Sequence, residues 1–236
     1  MKKRGLWLVG AILAVTAALA AVFWKLDQLT EPALSPAVIS SPTGLILDAG
    51  HGGEDGGAVS LTGVPESHIN LEIVLKMDDI LGFYGTAPLL LRREDISLHD
   101  ADAVTLREKK VSDLKNRVAA IQAAEGASLI SIHQNSMPTA PKVHGAQVFY
   151  NQAEGSEALA LAVQDALNSS VNQPDSAKTA KRIGDSIYLM KNVTVPAVLV
   201  ECGFLSNPQE TAALNTEAYQ TKLAVTILAA ALTHVQ

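Results

Sequence analysis

The chain has 236 residues, of which 48% are hydrophobic and 18% are charged, and its formal net charge is −6. This length gives room for one medium-sized domain with a short extension, and the apolar content is enough for a core without disulfide bonds. The acidic balance argues against a nucleic-acid-binding protein, which usually carries a basic stripe, but it is compatible with a local basic cleft for an anionic substrate. The single cysteine, Cys202, excludes an intrachain disulfide.

The N-terminal segment, residues 1–25, predicts export of the chain that follows it. Three basic residues at positions 2–4 precede an uncharged run over residues 5–24, and this run of about 20 residues has the length of a helix that crosses a bilayer core. Basic residues before such a run favour translocation of the rest of the chain. We predict an uncleaved signal-anchor that holds the protein at the outer face of the membrane, and the alternative is a signal peptide cleaved after the small-x-small pattern at residues 18–20.

Residues 26–43 contain three prolines and several serines and threonines, which predicts an extended tether. The folded domain is predicted over residues 44–236, where short apolar runs alternate with helical patterns. Strands are predicted at Gly44–Asp48, Ala87–Leu91, Ala127–His133, Ala146–Tyr150, Ser186–Met190 and Ala197–Glu201. Helices are predicted at Ser67–Leu81, at Asp113–Ala124 with Ser112 as its cap, at Ser156–Asn168 and at Ala218–His234. This alternation predicts an α/β layered domain with a largely parallel sheet.

Three of the apolar strands are followed by groups that bind metals or move protons. The run GLILD leads to His51, the run LISI leads to His133, and the run AVLV leads to Glu201. Parallel strands end at one edge of a sheet, where ligand sites form, so these three side chains are predicted to converge. Hydrophobic collapse alone gives no reason for this placement.

These residue types match the ligands of a catalytic zinc ion, which takes three nitrogen or oxygen donors and keeps one position open. His51 and His133 supply two imidazoles, and the third donor is predicted to be a carboxylate shortly after the first loop. Glu66, just before a predicted helix, is the best candidate. Glu54 and Asp55 are rivals, but they follow His51 so closely that reaching the same metal would strain the loop.

Glu201 then stays free to act as a general base, and the reaction class is metal-assisted hydrolysis of an amide. Cys202 follows it on the strand and points to the opposite face, which favours a buried apolar role over a nucleophile. Asp48 either orients the ring of His51 or only forms a turn. Structural or solvated roles are predicted for the remaining histidines, which are His68, His99, His144 and His234.

The chain resembles the zinc-dependent N-acetylmuramoyl-L-alanine amidases of the amidase-3 family in five separated blocks. The blocks are ILDAGHGGEDGGA (46–58), E-x3-N-L from position 66, DLKNRV (113–118), LISIHQN (129–135) and PAVLVECGFLSNPQE (196–210). The resemblance implies a twisted, mostly parallel sheet flanked by helices on both faces as a single catalytic domain. It implies Zn²⁺ held by His51, Glu66 and His133, with Glu201 as the catalytic carboxylate, and so selects Glu66 over Glu54. The implied substrate is peptidoglycan, cut between N-acetylmuramic acid and L-alanine.

Within this family the chain is most similar to the sporulation- and germination-specific branch, which acts on spore-cortex peptidoglycan during muramic-lactam formation. The similarity is carried by residues 113–118, 131–150 and 183–192 and by the single N-terminal apolar segment. It implies a polysaccharide deacetylase as functional partner, acting on the stripped muramic acid. One departure is the pair Arg92-Arg93, where the family commonly has Thr-Arg after the second strand, and this leaves the role of Arg92 open.

Two other functions fit the same fold. A catalytically silent wall-binding or regulatory domain is disfavoured because all four of the residues implied for zinc chemistry are present, and a zinc exopeptidase is disfavoured by the five blocks. Beyond those four residues, Asn135, Arg182 and Lys191 are candidates for binding substrate.

Overall fold

The computed structural model describes residues 42–124 and 126–234. The predicted N-terminal segment (1–25) and all but the last two residues of the predicted tether (26–43) lie outside the described residues. Residues 42 and 43 form the start of the first strand. Within the described ranges, the structure contains no helix with the length and apolar character needed to cross a membrane.

The described residues form a six-stranded sheet between two layers of helices, which confirms the predicted α/β fold class. In chain order the elements are β1 Pro42–Ala49, α1 Glu66–Phe83, β2 Ala87–Leu90, α2 Leu106–Gln122, β3 Ser128–Asn135, β4 Gln147–Tyr150, α3 Ser156–Ser170, a 3₁₀ turn Pro174–Ser176, β5 Lys181–Arg182, α4 Tyr188–Asn192, β6 Ala197–Phe204, α5 Pro208–Leu214 and α6 Glu217–Ala231. The strand order is β2-β1-β3-β6-β4-β5. Every pairing is parallel except that of β4 with β6, so the sheet is mostly parallel.

Apolar side chains cover both faces of the sheet, because its central strands carry apolar residues at nearly every position. One face packs against α1, α3 and α6, through residues such as Leu47, Ile132, Met77, Val163 and Ile227. The other face packs against α2 and α4, through residues such as Ile46, Leu129, Ile121 and Leu189. Cys202 is fully buried in the first of these layers, opposite to the face of Glu201, as its place in the strand predicted.

Helix α2 begins seven residues earlier than the predicted Asp113, and Ser112 is not its cap. Thr105 caps the helix: its side chain accepts a hydrogen bond from the Glu108 amide at 3.2 Å, and the Glu108 carboxylate accepts one from the Thr105 amide at 2.8 Å. This reciprocal pair is a capping box. The first turns of α2 are largely solvent-exposed and charged, so the apolar stripe used for prediction begins only in the middle of the helix.

The predicted strand at Ser186–Met190 is also wrong, because this segment enters the helix α4. Tyr188–Asn192 form a five-residue helix, and the Lys191 amide donates an i to i−4 hydrogen bond to the Ile187 carbonyl at 3.0 Å. A short apolar run does not distinguish a strand from a helical turn by periodicity. The strand that extends this edge of the sheet is the two-residue β5.

The register of the central strands sets the positions of the predicted site residues. Ser131 of β3 pairs with Asp48 of β1, and His133 of β3 pairs with Glu201 of β6. Parallel neighbours in register point to the same face, so His133 and Glu201 stand side by side at the carboxyl ends of their strands. The turn that carries His51 leaves β1 at the same edge.

Candidate metal centre

Three candidate ligands from three elements meet beyond the carboxyl ends of β1 and β3. His51 follows β1, Glu66 is the first residue of α1, and His133 lies near the end of β3. One donor atom of each lies within 4.8 Å of the other two. Glu66 Oε1 is 3.3 Å from His51 Nε2 and 3.0 Å from His133 Nδ1. Two imidazole nitrogens and one carboxylate oxygen in this arrangement are the donor set typical of a catalytic zinc ion.

Two glycines let the backbone pass against these side chains. A Cβ on Gly50 would overlap the imidazole of His133, coming within 2.7 Å of Nδ1 and closer to two other ring atoms. A Cβ on Gly57 would lie 2.6 Å from Glu66 Oε2, and Gly57 also has a φ of 69°, a value that disfavours other residues. The glycine-rich loop is therefore needed for the close approach of the ligands.

Glu66 is buried and held in an ionised state by several donors. The Ala58 amide donates to Oε2 at 2.9 Å, and the Gln134 amide and the Asn70 side chain donate to Oε1 at 3.1 and 3.4 Å. Burial would raise the pKa of Glu66, but its contacts with the two imidazoles outweigh this and hold the pKa far below its usual range. An ionised carboxylate is the form that binds a metal.

Neither of the two carboxylates considered as rival ligands belongs to the cluster of three donor atoms. Asp55 Oδ2 is 3.0 Å from His51 Nδ1, the ring nitrogen that faces away from Glu66, and 3.0 Å from Lys110 Nζ. Glu54 forms an exposed ion pair with Lys109. Burial would lower the pKa of His51, but its contacts with the carboxylates of Asp55 and Glu66 outweigh this and raise the pKa to about 9. Asp55 thus fixes the orientation of the His51 ring, as an outer partner of a metal-binding histidine does.

The role considered for Asp48 as a partner of the His51 ring is not seen in the structure. Its carboxylate forms a buried ion pair with Arg117 and accepts a hydrogen bond from Ser131 Oγ at 2.6 Å. Burial would raise the pKa of Asp48, but Arg117 lowers it below its usual value. Asp48 therefore connects β1 and β3 to α2 behind the candidate metal centre.

Glu201 lies in the same cleft as the three candidate ligands. The cleft has a volume of about 370 Å³, and its apolar wall includes Leu114 of α2 and Ile187 and Leu189 around α4. Glu201 Oε2 is buried and makes no hydrogen bond to any described residue. Burial is the main cause that raises the pKa of Glu201 to about 7. A carboxyl group with such a pKa can both accept and return a proton near neutral pH.

The residues suggested for binding substrate, Asn135, Arg182 and Lys191, are not among those that line this cleft. Arg182 and Lys191 line a separate small depression together with Asn151 and Gln152. The main chain of Asn135 accepts a hydrogen bond from the Leu205 amide at 2.8 Å at the end of β3. Sequence reasoning missed the partnership of Asp55 with His51, for which the short spacing of the two residues was the available signal.

Comparison with known proteins identifies the family. The profile of the N-acetylmuramoyl-L-alanine amidase (amidase-3) family matches residues 45–233. The germination-specific N-acetylmuramoyl-L-alanine amidase of Bacillus subtilis (strain 168) is 39% identical over 184 residues, which cover 78% of this chain and 76% of that protein. The CwlD amidase from Clostridioides difficile, solved in complex with the GerS lipoprotein, is 38% identical with a TM-score of 0.72, covering 78% of this chain and 93% of that one. The amidase AmiC2 of Nostoc punctiforme is 27% identical with a TM-score of 0.66, covering 81% and 96%. The chain therefore belongs to the N-acetylmuramoyl-L-alanine amidase family, as the five blocks of its sequence predicted.

Proposed function

We propose that this protein is a zinc-dependent amidase that hydrolyses the bond between N-acetylmuramic acid and L-alanine in peptidoglycan. In this proposal His51, Glu66 and His133 hold the zinc ion, and Glu201 transfers the proton. The observation that carries it is the convergence of the three donor atoms within 4.8 Å of one another in the cleft that also contains Glu201. The bond that is cut follows from membership of the family.

The chemistry of the donor set favours zinc over the other common divalent ions. Magnesium and calcium prefer sites built from oxygen atoms, whereas two of the three donors here are imidazole nitrogens. Three protein ligands leave one coordination position open, as catalytic zinc sites require. When bound, the ion would polarise the amide carbonyl and activate a water molecule for attack.

Glu201 would supply the proton transfers of the reaction. Its carboxylate accepts a proton from the attacking water as the new carbon–oxygen bond forms, and it returns a proton to the alanine nitrogen as the carbon–nitrogen bond breaks. The products are a free carboxyl group on the muramic acid and a peptide with an N-terminal alanine. Leu114, Ile187 and Leu189 give the same cleft an apolar wall against which the non-reacting part of a substrate could pack.

The proposal is tested by removing the metal from the purified full-length protein. We expect purified peptidoglycan to release peptides with N-terminal alanine, a chelator to stop the release, and added zinc to restore it. The new N-termini are measured by labelling of free amines and mass spectrometry. A protein that releases no such peptides with zinc present, or that works equally well after chelation, would contradict the proposal.

Replacing Asp55 by Asn is expected to weaken zinc binding about 10- to 100-fold, the usual effect of losing a carboxylate that orients a ligating histidine. The matched control is Glu54→Gln, which changes the neighbouring carboxylate whose ion pair with Lys109 is exposed. Zinc affinity is measured by competition with a coloured chelator. A greater loss of zinc affinity in Glu54→Gln than in Asp55→Asn would contradict the role of Asp55 as the partner of His51.

The biological substrate we propose is spore-cortex peptidoglycan, with a polysaccharide deacetylase acting next to form muramic lactam. Support comes from the sporulation-like blocks and from the relative named as germination-specific. A strain that lacks this protein should form cortex without muramic lactam, as measured by muropeptide analysis. Normal muramic-lactam content would contradict this role.

We also propose that the N-terminal segment anchors the protein at the outer face of the membrane. The support is the uncharged run over residues 5–24 that follows three basic residues. N-terminal sequencing of the mature protein tests it, since a start near residue 21 would indicate a cleaved signal peptide instead. Because the similar CwlD amidase was solved with a lipoprotein, a lipoprotein partner is proposed as well, to be sought by copurification.

A further inference from the structure

Two buried arginines lie behind the turn that carries His51. Arg92 follows β2, Arg117 lies on α2, and each is only 2% exposed. Between them, their guanidinium groups donate hydrogen bonds to the carbonyl oxygens of three consecutive residues, 49–51. The guanidinium of arginine carries five N–H donors in a rigid plane, so one arginine can donate to several neighbouring carbonyl oxygens at once.

Arg92 connects the backbones next to two of the proposed zinc ligands. Its Nε donates to the Ala49 carbonyl at 2.9 Å, and its Nη2 donates to the Gly50 carbonyl at 3.2 Å. The same Nη2 donates to the carbonyl of Ser67 at 2.9 Å. Gly50 precedes His51, and Ser67 follows Glu66. One guanidinium therefore fixes the distance between the turn after β1 and the first turn of α1.

Arg117 holds the other side of the same turn. Its Nη1 donates to the Ala49 carbonyl at 3.0 Å and its Nη2 to the His51 carbonyl at 2.7 Å. His51 has a φ of 62°, in the left-handed region that is unfavourable for a residue with a side chain. Such a conformation persists only where the surroundings hold it in place. The Arg117 contact acts directly on the residue that carries this strain.

The charges of the two arginines are balanced differently. Arg117 forms ion pairs with Asp48 and Asp113, whereas Arg92 forms no ion pair with any described residue. Burial of this guanidinium without a carboxylate is unfavourable, and it lowers the pKa of Arg92 to about 10. Packing alone gives no reason to keep such a group here, since an apolar side chain would fill the space without the loss of hydration.

We propose that Arg92 and Arg117 are positioning residues that hold residues 49–51 in place before the metal arrives. The inference rests on the proposed zinc ligands His51 and Glu66. Ligands that are already in place lose less conformational freedom on binding, so the arginines raise zinc affinity without touching the ion. The proposal gives a role to Arg92, whose function the sequence alone left open.

The test compares variants of the full-length protein by three measurements: zinc affinity by chelator competition, the free energy of unfolding of the zinc-free protein in urea, and hydrogen exchange of the zinc-free protein. Arg92→Met removes every donor, and Arg92→Lys keeps the charge but loses the planar fork. The control is Val163→Ala, which removes buried methyl groups from α3 in the core on the other side of the sheet.

We expect Arg92→Met to bind zinc at least about tenfold more weakly, as the loss of an outer partner does. The zinc affinity of Arg92→Lys should lie between that of Arg92→Met and that of the unchanged protein. In both variants, hydrogen exchange should become faster over residues 49–57, while α3 stays protected. Val163→Ala should lower stability and leave zinc affinity unchanged. If Arg92→Met does not fold, Arg92→Lys carries the same test.

Three results would overturn the positioning role. These are a folded Arg92 variant with unchanged zinc affinity, exchange that increases equally throughout the domain, and a loss of affinity in Val163→Ala in proportion to its loss of stability. If the proposed function itself is wrong, a different result is expected: the unchanged protein binds no zinc, or the His51→Ala variant binds zinc as tightly as the unchanged protein does. The two failures are therefore distinguishable.

Discussion

Glu201→Gln is expected to lower the rate of peptide release from peptidoglycan about 10²- to 10⁴-fold, the range associated with general acid–base catalysis. Glutamine has nearly the same shape as glutamate, but its amide cannot take a proton from water. Glu201 lies beside His133 through the strand register and has a buried oxygen without a partner among the described residues. The variant should therefore fold and bind one zinc ion while it turns over slowly. Initial rates and the zinc content of the purified variant measure both properties.

The matched control is Glu210→Gln, which changes another largely buried carboxylate outside the metal cleft. The Glu210 side chain accepts hydrogen bonds from the amides of Gly145 at 2.9 Å and Phe204 at 2.7 Å. This variant should lose stability, since a charged acceptor becomes neutral, and keep most of its activity. A rate for Glu201→Gln equal to that of the unchanged protein would remove Glu201 from the mechanism. Loss of zinc in Glu201→Gln would show instead that this residue helps to hold the metal.

Gly50→Ala is expected to disrupt the metal centre although it adds a single methyl group. The new Cβ would overlap the His133 ring, and the glycine lies in a turn held by hydrogen bonds on both sides. Either the ring or the turn must move. We expect the free energy of unfolding to fall by about 1–3 kcal/mol from overpacking. Zinc affinity should fall about 10- to 100-fold, because one ligand or its neighbour leaves its position.

Gly82→Ala provides the control for this substitution. Gly82 lies in the last turn of α1, and a Cβ there would meet no atom within 4 Å. Alanine favours helix over glycine by about 1 kcal/mol, so this variant should be slightly more stable and bind zinc normally. Urea unfolding and chelator competition measure both variants. Normal zinc affinity in Gly50→Ala would mean that His133 can move aside and still bind, which the crowding around its ring argues against.

The sequence by itself determined the α/β class and the edge of the sheet at which the candidate site forms. Both follow from local signals. Strands buried on two faces are apolar at nearly every position, and the residue after such a strand lies at the carboxyl edge whatever surrounds it. His51, His133 and Glu201 were placed in this way, and the match of whole blocks to the family selected Glu66.

Only the tertiary structure decided which carboxylate pairs with which basic side chain. Asp48 is three residues from His51 in the chain but pairs with Arg117, while Asp55, considered as a ligand, holds the His51 ring. The role of Arg92 was equally invisible, since its acceptors are main-chain carbonyls that every sequence contains. Apolar periodicity reports which face of an element is buried. It does not report which polar groups meet across the fold, because those pairings depend on the relative placement of elements distant in the chain.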